Sequence, residues 1–248
     1  MFLSRLNLND VQLRMIGIFD GKAAWILHGR WGLWTEFPHI PQISHQGTPA
    51  VNFPLTGRKM ILESIRNVKL YQLLFFIDTD LAEQKRGNSC PFCGAPLHTS
   101  NYLRKPRGGP GNIPEAFSIR HSLCCSAENC RKRVLPPSLR FWDRKVYWGI
   151  VILVTVVLRQ QRTEGYSAGK IFQLLGVSRH TLKRWIHYFK EVFPETERWK
   201  RIRGRIGVEI DMGQIPSAII LFFIERFGSA EDGLIRSLQL FSRGADVF

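Results

Sequence analysis

The five cysteines of this chain all fall between positions 90 and 130 and are its best candidates for chemistry. They read Cys90-Pro-Phe-Cys93-Gly94 and then Cys124-Cys125-Ser-Ala-Glu-Asn-Cys130, with 31 residues between Cys93 and Cys125. Two close thiol pairs a few tens of residues apart suit tetrahedral zinc, because each short loop supplies two thiolates and the intervening segment returns the chain. The expected ligands are Cys90, Cys93, Cys125 and Cys130. Cys124 is the alternative to Cys125, since neighbours on a strand point to opposite faces. His98 and His121 stand in reserve. Gly94 lies where the tight turn of a zinc knuckle favours a residue that tolerates positive φ. Four thiolates leave no open coordination position, so the expected Zn2+ is structural. The competing reading, inert thiols or a disulfide, belongs to small secreted scaffolds. Residues 1–14 already carry Arg5, Asp10 and Arg14 without a long apolar run, unlike a secretory signal. The expected location is therefore a reducing cytoplasm, in association with the nucleoid.

A formal net charge of +15 on 248 residues is large, and its placement says more than its size. Residues 100–205 hold 22 Lys and Arg against 7 Asp and Glu, while the remainder holds 13 of each. A field confined to one segment points to a polyanionic partner, here double-stranded DNA. RNA is less favoured, since no aromatic-rich strand motif for base stacking is evident.

Within that segment, residues 167–189 carry the second informative pattern. Ser167 and Ser178 are placed as helix N-caps, and Gly176 lies where a helix-turn-helix bends. Ile171, Leu175, Val177, Leu182 and Trp185 fall at interior positions. Arg179, His180, Lys183, Arg184 and His187 share the opposite face of the second helix, as on a recognition helix. Phe172 departs from the motif, which keeps a small residue there. An ordinary helical hairpin with a solvated basic face is the competing reading. Further cations expected at DNA are Arg131, Lys132 and Arg133, together with Arg198, Lys200, Arg201, Arg203 and Arg205.

The elements that must position these groups read as mainly α, with a small β-bearing zinc ribbon over 86–135 and a helix-turn-helix bundle over 140–195. Residues 1–59 show no sustained period and are unassigned: the expected natural start is Met60, which makes them an upstream extension, and the competing reading is a small N-terminal domain. Residues 60–85 form an amphipathic helical segment. Pro136-Pro137 makes a stiff joint. The uncharged run 146–158 is too short for a membrane span and reads as a buried core helix. Residues 196–248 form a basic arm and then C-terminal helices broken at Gly228 and Gly233, for packing or for self-association as a homodimer.

Residues 60–205 resemble a family of small bacterial proteins associated with mobile elements and without an assigned activity. The carrying stretches are Ile77-Asp-Thr-Asp-Leu-Ala-Glu83, Cys90-Pro-Phe-Cys-Gly94, Arg104-Lys-Pro-Arg-Gly-Gly109, Cys124-Cys125 through Cys130-Arg-Lys-Arg133, Pro136-Pro-Ser-Leu-Arg-Phe141 and the helix-turn-helix. The gap from Cys125 to Cys130 is similar to that of zinc-finger activators of phage late transcription. A zinc ribbon followed by a helix-turn-helix resembles the DNA-binding front end of transposases. The resemblance implies DNA binding beside transposition or transcription proteins, and it implies no chemistry.

An enzyme is not expected. Gly207-Val-Glu-Ile-Asp211 reads like the first catalytic strand of a three-carboxylate transposase, yet only 37 residues follow Asp211. The rival readings are a truncated, catalytically defective transposase and a zinc-stapled module that binds a protein through its C-terminal apolar segment.

Overall fold

A computed structural model describes residues 55–142, 145–160, 166–197, 199–200, 203 and 210–242, with side chains from residue 61. Residues 1–54, most of the expected extension, lie outside the described residues. The described chain is mainly helical, with two small antiparallel sheets.

Helices α1 (Leu55–Arg66) and α2 (Val68–Arg86) resolve the amphipathic segment into two, and α1 begins before Met60. Asn67 makes the break: its side chain accepts the Lys69 amide proton at 3.0 Å and so caps α2. Its side-chain amide donates to Glu231 at 2.8 Å, tying the break to the C-terminal helix.

The centre of the core is α3 (Gly149–Gln160), buried at every position from Gly149 to Leu158. A helix apolar all round has to be enclosed, and this one is packed by α1 and by the helices at 168–175, 179–187, 217–227 and 230–242. It starts three residues later than the apolar run in the sequence. Tyr147 and Trp148 instead bridge Arg107 and Phe141, and Val146 is exposed. At Gly149 a Cβ would stand 2.6 Å from the Leu139 carbonyl oxygen, so glycine permits the chain to turn into the helix against the preceding segment.

Helices α4 (Ala168–Leu175) and α5 (Arg179–His187) form a tight pair, and α5 runs on into a π-helical turn, Tyr188–Val192. Helices α6 (Ser217–Phe227) and α7 (Ala230–Ser242) close the core. Gly228, at φ +79°, ends α6 as expected. Gly233 does not break a helix but lies inside α7, where a Cβ would run into the Ile224 side chain. Glycine there allows α6 and α7 close approach. Leu234, Leu238 and Phe241 are enclosed within the chain, so this segment packs into the core.

Between α2 and α3 lies the cysteine-bearing module. Strands β1 (Leu97–Thr99), β4 (Leu123–Cys125) and β5 (Arg133–Val134) form one antiparallel sheet, and β2 (Tyr102–Leu103) pairs with β3 (Ile119–Arg120) in another. The module has its own small core of Cys90, Leu97, Leu123, Cys125 and Val134. It is tied to the helices through Asp78 of α2. That carboxylate accepts from the Ser138 hydroxyl, from the Leu139 amide at 2.6 Å and from the Arg140 guanidinium.

Candidate metal centre and basic face

Two knuckles with the same backbone logic aim the four thiols at one point. In the first, the Gly94 amide donates to the Cys90 carbonyl at 2.9 Å, and Gly94 takes φ +78°. In the second, the amides of Cys130 and Arg131 both donate to the Ala127 carbonyl at 3.0 Å, and Arg131 takes φ +43°. Each pair of cysteines is thus followed by a left-handed residue that curls the chain back over the thiols. The Cys125 amide donates to Lys132, and the Ser126 amide to Pro96, so the strands hold both knuckles in register.

The sulfur atoms of Cys90, Cys93, Cys125 and Cys130 all lie within 4.8 Å of one another, and this set could hold a metal ion. Cys90 Sγ is 3.9 Å from Cys130 Sγ, and Cys93 Sγ is 3.3 Å from Cys125 Sγ. A disulfide needs about 2.05 Å between sulfurs, so all four remain thiols. Cys90, although its desolvation acts to raise it, is drawn down to about 7 by amide hydrogen bonds from Phe92 and Cys93. Burial pushes Cys125 up to about 12. A cation is what would hold all four as thiolates together.

Cys124 stands outside this set. The strand register pairs it with His98 on one side and Arg133 on the other, and its sulfur reaches the Arg131 carbonyl at 3.5 Å. Of the two adjacent cysteines, the pleat turns Cys125 inward. Neither reserve histidine joins the cluster. His98 is exposed, whereas His121 is buried beside Thr79, 3.1 Å from its hydroxyl, with its ring near Phe75.

On the helical side, Ser167 accepts the Lys170 amide proton and Ser178 that of Thr181, each at 3.2 Å, so both act as N-caps. Gly176 ends α4 at φ +64°. Leu182 and Trp185 of α5 are buried, and Trp185 meets the Tyr147 ring edge-on at 5.0 Å. Arg179, His180, Lys183, Arg184 and His187 are all exposed on the opposite face. Phe172 is 55 % exposed, so its bulk points away from the helix pair and does not hold the helices apart. Leu175 is half-buried.

Arg131, Lys132 and Arg133 are exposed beside the cysteine cluster, with Lys132 4.4 Å above the Phe92 ring and Arg133 5.3 Å from that of Tyr102. Lys200 is exposed and pairs with Glu197 at 3.2 Å, and Arg203 is exposed. Arg198, Arg201 and Arg205 lie outside the described residues. Asp211 is exposed and accepts the Gly213 amide proton at 2.8 Å, opening a 3-10 turn.

Sequence reasoning missed two features. Asp78 and Arg140 sit in separate motifs that gave no hint of pairing. The insert at 104–111, too short to interpret alone, packs through Gly108 and Gly109 against Trp148, α3 and the end of α4.

No protein-family model, curated protein or solved structure matches the chain. No helix among the described residues is long and apolar enough to cross a membrane.

Proposed function

We propose that this protein binds double-stranded DNA, with zinc holding its cysteine module folded, and serves a mobile element as a regulator or transposition accessory factor. The observation that carries the reading is α5: five basic or imidazole side chains exposed on one face, with Leu182 and Trp185 buried on the other. Together with α4 and the left-handed turn at Gly176, that face supports reading the pair as a helix-turn-helix whose second helix enters the major groove. Arg179, His180, Lys183, Arg184 and His187 supply phosphate contacts and some base readout. Arg131, Lys132 and Arg133, with the 198–205 cluster, add affinity that salt weakens.

Zinc suits the cysteine set on two grounds. A tetrahedral ion with bonds of about 2.3 Å sets its sulfurs about 3.8 Å apart, close to the 3.9 and 3.3 Å separations present. Thiolate ligands also favour a soft or borderline ion over magnesium or calcium. The ion's role is folding, with no catalytic step assigned to it.

The protein-binding alternative is disfavoured because the C-terminal apolar residues it relies on are used inside the fold. The mobile-element setting rests on the sequence resemblance.

The test is duplex binding by the full chain as a function of salt, with and without chelator, on random duplex and on the ends of a neighbouring element. The expected result is a steep loss of affinity with salt, a preference for the element's ends, and weaker binding by Arg184→Ala. Binding that salt barely changes would defeat the reading.

A further inference from the structure

We infer that the loop joining β2 to β3 is a second DNA-contacting element, with Lys105 and Arg107 set against the phosphate backbone beside the groove that α5 enters. This deepens the DNA-binding reading and rests on it.

The loop begins Arg104-Lys105-Pro106-Arg107-Gly108-Gly109, three cations without an acid before Glu115. One cation is an anchor. Arg104 donates to the Lys145 carbonyl at 2.7 Å and lies 5.1 Å from the Phe141 ring centre. The backbone of Arg107 is fixed on both sides: its amide donates to Val146 at 2.8 Å, and its carbonyl accepts from Trp148 at 3.3 Å. Gly108 takes φ +85°, and a Cβ there would stand 2.8 Å from Val151 and 3.2 Å from the Leu175 carbonyl oxygen. At Gly109 a Cβ would meet the Trp148 indole nitrogen at 2.5 Å. The two glycines therefore let the loop lie flat, Gly108 on α3 and the last residue of α4 and Gly109 on Trp148.

Leu175 comes one residue before the turn at Gly176 and three before Ser178, the cap of α5. Tyr147 serves both parts, since its backbone bridges Arg107 while its hydroxyl donates to the Gly176 carbonyl at 3.0 Å. The loop and the start of α5 are thus set side by side through shared groups. Lys105 and Arg107 are exposed and have no carboxylate partner among the described residues.

A recognition helix enters the groove by its N-terminal residues, so cations held beside the preceding turn face the flanking phosphates. A pinned backbone also has less freedom to lose on binding. Two cations and no amide or carboxylate to read base edges make this a positioning contact, indifferent to sequence.

The test compares the full chain with the double variant Lys105→Ala and Arg107→Ala on a random duplex across a salt series. Removing one phosphate-binding cation should reduce the slope of log affinity against log salt by about 0.9, and removing both by roughly 1 to 2. The fall in affinity should be equal on every sequence, with thermal melting and metal content unchanged. The charge-keeping pair Lys105→Arg and Arg107→Lys should hold the original slope. Lys105→Gln and Arg107→Gln singly, each with about half the effect, keep the test open should the double variant fail to fold. An unaltered slope in the alanine and glutamine variants, while Arg184→Ala weakens binding, would overturn the loop's role and leave the DNA reading standing. An absence of salt-dependent binding by the unmodified chain would overturn both.

Discussion

The Asp78 carboxylate and the Arg140 guanidinium meet at 2.8 Å with neither side chain reaching solvent. Arg140 also donates to the carbonyls of Phe117 and Ile119, and its guanidinium lies 4.7 and 5.0 Å from the Phe75 and Phe141 ring centres. One ion pair thereby joins α2, the edge of the cysteine module and the joint that leads into α3. Buried charge is tolerated here because the surrounding polar groups satisfy it.

Breaking that pair on one side should be costly. Asp78→Ala or Arg140→Ala is expected to lower unfolding stability by about 3–5 kcal/mol, since the surviving charge stays buried without its partner. Replacing both with apolar residues of similar size should cost less than either single change. Urea unfolding of the metal-loaded chain checks this, and single variants with unchanged midpoints would remove the clasp from the account.

The metal set makes a sharp distinction between neighbours. Cys90→Ser, Cys93→Ser, Cys125→Ser and Cys130→Ser should each abolish or greatly weaken retention of the proposed zinc, because a structural site of this type needs about four protein ligands. Cys124→Ser should keep it, since that thiol faces away. Metal content by mass spectrometry after purification decides between Cys124 and Cys125.

His121 gives the fold a pH dependence. Burial, aided by the nearby Arg140 charge, lowers its pKa below 6.5. Thr79 gives its hydroxyl proton to the Phe75 carbonyl at 2.9 Å, which leaves its oxygen to accept from His121 Nε2 at 3.1 Å, a bond that adds no preference for the charged ring over the neutral one. The unfolded chain therefore binds this proton more readily than the folded one. That contribution is present above about pH 6.5 and is lost as the pH falls through and below that value. His121→Gln should flatten the acid limb of stability against pH relative to the parent, measured by denaturant unfolding at each pH. Identical limbs would show that His121 does not supply the slope.

Close approach of α6 and α7 depends on Gly233. An added methyl runs into the Ile224 side chain and stands 3.1 Å from the Ile220 carbonyl oxygen. Overpacking of this kind costs about 1–3 kcal/mol and should outweigh the gain in helix propensity of about 1 kcal/mol. Gly233→Ala is thus expected to lower the melting temperature, as scanning calorimetry would show. A rise would mean that the hairpin can open without strain.

Local rules carried much of this molecule in the sequence itself. The cysteine spacing named the four clustered thiols, because a knuckle is a short-range device set by a few residues and one left-handed turn. Ser167, Gly176 and Ser178 placed the ends of α4 and α5, and the 3.6-residue period assigned Leu182 and Trp185 to one face and Arg184 to the other. Partners distant in sequence were settled only by tertiary packing. The period of two predicts that Cys124 and Cys125 face opposite ways, but pairing with β1 and β5 decides which joins the other three thiols. Gly233 carries the mark of a helix breaker, yet its packing against Ile224 makes it a point of close approach. Asp78 and Arg140 are 62 residues apart, and nothing local to either announces the other. A buried charge is stable only where its counter-charge, the carbonyls and the enclosing rings arrive together, and their arrival is a property of the whole fold.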